Sequence, residues 1–91
     1  MGGARTFADK LVSREHRFSI GVVSETGEHY VAIPVSNRRV DYEEYYRIDR
    51  EMAERFAANP DAALPFVERC RRREEDLRLI HQPGADRGTA L

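Results

Sequence analysis

The sequence predicts an α+β fold, a three-stranded antiparallel sheet packed against two C-terminal helices. Three observations carry that prediction. Residues 18–35 alternate apolar and polar positions around a glycine turn, as a β-hairpin does. Val40–Ile48 is an extended run with three tyrosines and three carboxylates. Asp49 then opens a stretch with helical apolar spacing.

The elements follow in order. Thr6-Phe7-Ala8-Asp9 has the letters of a helix start, and Phe7, Ala8, Leu11 and Val12 fall on one helical face. This spacing suggests a short N-terminal helix before the charged break Arg14-Glu15-His16. Phe18, Ile20 and Val22 alternate with Ser19 and Gly21 to make the first strand, through Ser24. Glu25-Thr26-Gly27-Glu28 is its turn, with Gly27 free to take positive φ. His29–Val35 returns, with Val31, Ile33 and Val35 on one face and Tyr30 and Ala32 on the other. Pro34 cannot donate to a ladder and belongs at an edge, an end or a bulge.

Ser36-Asn37-Arg38-Arg39 turns the chain into the tyrosine strand. There Val40, Tyr42, Glu44, Tyr46 and Ile48 share the better core face. Glu44 interrupts it, and a bulge near Glu43-Glu44 would turn that carboxylate outward. Asp49 caps the first helix, which runs to about Ala58 with Met52, Ala53 and Phe56 as its stripe. Asn59-Pro60 ends it and starts the second, which presents Ala63, Phe66, Val67 and Cys70. Leu77, Leu79 and Ile80 fit a continued helix somewhat better than a short strand. The ordered domain is expected over about residues 6–82, with 83–91 a mobile tail.

Composition narrows the functional classes. Fifteen basic and sixteen acidic side chains leave a net charge of −1, against the basic excess of a nucleic-acid binder. Charge is segregated: net +2 over residues 1–40, −5 over 41–68 and +2 over 69–91. Basic ends around an acidic middle favour association within or between chains. One cysteine, Cys70, rules out an intrachain disulfide and fits a reducing cytoplasm. No apolar run is long enough to span a membrane, and the first residues lack a signal peptide's apolar stretch. Met1–Thr6 matches a myristoylation pattern by letter, which reads better as a flexible start.

The segments Tyr30–Asn37, Val40–Asp49, Asn59–Phe66 and Cys70–Ile80, in that order, are similar to short bacterial proteins of unknown function. The resemblance spans roughly residues 18–80. It implies no activity, cofactor or site residue.

Tyr42, Tyr45 and Tyr46 read first as core or interface packing and second as a stacking platform for a small ligand. Bases come third, because Asp41, Glu43 and Glu44 would repel phosphate. Arg69, Arg71, Arg72 and Arg73 fan around a helix and are offset by Glu74, Glu75 and Asp76, so they read as a solvated face or as a dock for the acidic stretch of a second subunit. His16, His29 and His81 lack metal spacing, and Cys70 on an apolar face reads as a small buried hydrophobe. Glu43 and Glu44 point to opposite faces and cannot act on one glycosidic bond. No catalytic set and no cofactor or metal motif is present.

The expected function is a non-enzymatic, cytoplasmic accessory or regulatory protein that binds another protein and forms a homodimer. Its expected surface comprises Arg38, Arg39, Tyr42, Glu44, Tyr45, Tyr46, Arg71 and Arg72. The alternative is a small-molecule or enzymatic domain with a Tyr/Glu/His cleft between sheet and helices; nucleic-acid binding stands third.

Overall fold

The computed structural model describes residues 6–91, so the Met1–Thr6 pattern lies, but for Thr6, outside the described residues. The chain is α+β, as its sequence predicts, with five strands in place of three. They are β1 (Phe7–Ser13), β2 (Phe18–Val23), β3 (His29–Ser36), β4 (Asp41–Ile48) and β5 (Thr89–Ala90). Helices α1 (Arg50–Ala58) and α2 (Leu64–Arg71) lie between β4 and β5, with 3₁₀ turns at Pro60–Ala63 and Asp76–Arg78. The order β1-β2-β3-β4 is an antiparallel meander, and β5 adds to β3.

The first correction is the N-terminal segment, which is a strand and not a helix. The pairing of β1 with β2 slips between Asp9 and Leu11. That bulge places Phe7 and Asp9 on one sheet face and Leu11 on the other, opposite Ile20. A strand whose apolar residues change face mid-way loses period two, and here the remainder imitated helical spacing.

The hairpin and the tyrosine strand form as read. Gly27 takes φ 76° in the turn between β2 and β3. Phe18, Ile20, Val31, Ile33, Val35, Tyr46 and Ile48 meet Ala53, Phe56, Ala63, Phe66, Val67 and Cys70 in the main core. Asp49 caps α1, accepting from Met52 N at 2.8 Å. Asn59 makes no side-chain cap, and Pro60 opens a 3₁₀ turn before α2.

Pro34 sits mid-strand at a harmless position. β2 pairs with β3 only as far as Ala32. The ladder's alternation turns the peptide groups of Pro34 away from β4, into the space beyond the end of β2. There its carbonyl accepts from Leu91 N at 3.1 Å. The missing donor therefore removes no bond of the β3–β4 ladder.

Three further expectations are corrected. The β3–β4 register is continuous from His29↔Ile48 to Ser36↔Asp41, so no bulge turns Glu44 outward. Glu44 stays on the helix face at 7% exposure. Leu77 is 99% exposed in a 3₁₀ turn, while Leu79 is buried and bridges to Tyr46, so residues 77–80 do not continue a helix. Finally, residues 83–91 return to the sheet. Ser36 and Val35 pair with Thr89 and Ala90, and Arg73 Nη2 donates to the Gly88 carbonyl at 3.0 Å.

No helix among the described residues is long and apolar enough to cross a membrane.

Candidate functional site

Alternation along β4 divides the three tyrosines between the two faces of the sheet. Tyr42 and Tyr46 face the helices, and Tyr45 faces away. Tyr46 is fully buried; its hydroxyl donates to Glu44 Oε1 at 2.9 Å, with the Cys70 carbonyl a second acceptor at 3.2 Å. Burial first, and the Glu44 bond second, push this phenol far above its ordinary pKa. The Tyr42 hydroxyl accepts from Gly88 N at 2.7 Å.

Arg87 satisfies Glu44. Its Nε and Nη2 stand 2.8 and 3.1 Å from the two Glu44 oxygens, and Nη1 and Nη2 stand 2.7 and 2.9 Å from those of Asp76. One guanidinium thus forks onto two carboxylates. Asp76 is held below the usual carboxylate range, chiefly by the Arg87 hydrogen bonds.

The face away from the helices has its own small cluster of Val23, Tyr30 and Ala32, with Phe7, Tyr45 and Ile80 against it. Phe7 and Tyr45 stack at 3.6 Å between centroids, and Tyr30 meets both edge-on. Tyr30 donates to Asp9. Glu43, exposed as a residue but with its carboxyl partly desolvated and hydrogen-bonded to Tyr45, is raised above its ordinary pKa by that desolvation and then by the Asp9 charge. Burial and the neighbouring Glu43 and Asp9 charges push Tyr45 up to about 12.

Two depressions flank this cluster. One, of about 260 Å³, lies on the open face, with Val12, Ala32, Pro34, Arg14, Arg17, Asp9 and Glu43 in its walls. The other, of about 310 Å³, lies between the outer edge of β4 and residues 81–86, with Tyr42, Glu43, Glu44, Tyr45, His81 and Asp86 in its walls. An apolar groove of about 220 Å³ runs between β2 and α1, beside Lys10, Ile20 and His29.

The eight residues expected to share one surface are dispersed. Arg38 and Arg39 are exposed at the β3–β4 turn. Glu44 and Tyr46 are buried, and Tyr42 and Tyr45 lie on opposite faces. Arg71 binds Glu68 and the carbonyls of His16 and Arg17, and exposed Arg72 pairs with Glu74 at 2.8 Å. The expected cleft between sheet and helices is not where the Tyr/Glu/His combination occurs. It occurs at the β4 edge, with His81 in place of His29, which lines the groove by α1.

The sequence reading missed Arg87, Asp9, Arg14, Arg17 and Asp86. A signal for part of this was present: an acid on an apolar strand face demands a cation, though the sequence holds many basic residues that could supply it. Cys70 is buried in the main core, which pushes its thiol up to about 12. Among the described residues no group of three or more His, Cys, Asp or Glu side chains is placed to hold a metal ion.

With this geometry in hand, comparison with protein-family models, curated proteins and solved structures finds no match.

Proposed function

We propose that the chain is a small non-enzymatic interaction module that acts as a homodimer, with the helix-free face of its sheet as the contact between copies. The observation that carries this reading is the pattern on that face. Val12, 58% exposed, lines a depression there with Pro34 over the buried Ala32, and the same depression carries two cations, Arg14 and Arg17, and two carboxylates, Asp9 and Glu43. A two-fold axis sets the cations of one copy against the carboxylates of the other. The molecule is a slab of 35 × 33 × 22 Å, so its broad face suffices for the roughly 800 Å² per partner of an ordinary stable interface.

Edge pairing is a poorer route. The exposed edge strand β1 is bulged and carries Lys10, features that discourage strand addition. The single buried cysteine supports a cytoplasmic place of action.

Sedimentation velocity at micromolar concentration tests the reading. The expected result is a species of twice 10.5 kDa that Val12→Arg converts to a folded monomer. A stable wild-type monomer, or a dimer indifferent to Val12→Arg, overturns it.

A further inference from the structure

We infer that the cavity between the outer edge of β4 and residues 81–86 receives an alkyl-guanidinium group, an arginine side chain presented by a partner protein. This goes beyond self-association and uses a second cavity, which shares only Glu43 with the proposed dimer face.

The cavity is framed before any ligand arrives. At one end Ile80 N donates to the Tyr45 carbonyl at 2.9 Å; at the other Asn37 Nδ2 donates to the Asp86 carbonyl at 3.1 Å. The Arg87 clamp on Glu44 and the bond from Gly88 N to Tyr42 hold the chain beneath. At about 310 Å³ the space is at the small end for ligand sites, the size for one side chain or a small cation.

Its chemistry selects a cation. Tyr42 and Tyr45 stand in its walls, the latter with one ring face covered by Phe7, and a phenol ring attracts positive charge. Two acidic residues, Glu43 (hydrogen-bonded to Tyr45) and Asp86, stand in the lining with His81, and no lysine or arginine does. Glu44 is also there, already matched to Arg87. The backbone adds an acceptor. Since the Tyr45 carbonyl points away from β3 to meet Ile80 N, the ladder's alternation points the Glu43 carbonyl the same way. A planar guanidinium, with five donors, suits acceptors spread over side chains and backbone better than the compact ammonium of lysine. Burial and Asp9 already strain the charge on Glu43, so a docked cation relieves it.

The test is an amide NMR titration of the full chain with a short Gly/Ser peptide bearing one arginine. Its controls are the same peptide with citrulline, the neutral isostere, and free arginine amide. The arginine peptide is expected to shift the amides of residues 42–45 and 81–86, and to bind about tenfold or more tightly than the citrulline peptide. Asp86→Lys is expected to abolish these shifts while leaving the rest of the spectrum and the sedimentation coefficient unchanged. Absent shifts at these amides, equal binding of the citrulline peptide, or full binding by Asp86→Lys each overturn the site. Free arginine amide binding as tightly as the peptide overturns the protein-borne ligand. None of these failures touches the dimer, which the Val12→Arg measurement addresses separately.

Discussion

Arg87 reaches back 43 positions to grip Glu44, Nε to Oε2 at 2.8 Å. The two side chains are 13% and 7% exposed. The contact explains how a carboxylate can occupy the helix-facing side of β4 beside Tyr46. It also explains why the chain returns to the sheet after residue 83. Asp76 completes the clamp and ties it to the turn that follows α2.

Removing the cation leaves the buried Glu44 without its ion pair. Arg87→Met should therefore destabilise the fold by about 3–5 kcal/mol in denaturant melts. Glu44→Gln combined with Arg87→Met should recover most of that loss. A single-variant cost below about 1 kcal/mol, the level of an exposed ion pair, would show that the clamp is peripheral. The pH dependence has a definite sign. Asp76 has a lowered folded pKa, so its contribution is present above its unfolded pKa and is lost as pH falls through the folded one. The gap between wild type and Arg87→Met should narrow in acid.

Tyr30 lies across Gly21, its partner in the β2–β3 register. A Cβ at Gly21 would stand 2.2 Å from the Ala8 carbonyl oxygen and 2.5 Å from the Tyr30 hydroxyl. Gly21→Ala should cost about 1–3 kcal/mol by overpacking. Trimming the ring hydroxyl with Tyr30→Phe should not rescue it, because the backbone clash with Ala8 remains. Thermal unfolding of the single and double variants decides the matter; full rescue would place the constraint in the side chain alone.

Glu43 behaves oppositely to Asp76. Its folded pKa is raised, so ionisation works against the fold at pH values above the unfolded pKa, and the penalty vanishes below it. In the Val12→Arg monomer, where no partner arginine faces it, Glu43→Gln should melt higher than the parent at neutral pH and equal to it in acid. A variant that melts lower at neutral pH would mean that a cation already neutralises Glu43 in the folded protein.

What could be read in the chain was what depends on near neighbours. The β2–β3 hairpin rests on alternation and a glycine at φ 76°, and α1 rests on Asp49 bonding an amide three residues on. Both are local, so the residues themselves announce them. The burial of Ala63, Phe66, Val67 and Cys70 likewise follows from helical spacing.

The remainder was decided by pairings between distant segments. β1 became a strand because β2 offers it a ladder, and its bulge erased the period that would have marked it. The last residues, polar and glycine-bearing, read as a tail until Glu44 supplies a site for Arg87 and the uncovered end of β3 supplies one for β5. The tyrosine run was visible as a strand, but the separation of Tyr45 from Tyr42 and Tyr46 became meaningful only once helices covered one face and Phe7 came to stack on the other. Sequence determines which groups need a partner; the folded chain determines which partner comes within hydrogen-bonding distance, because that choice is made by loop closure and burial over the whole molecule.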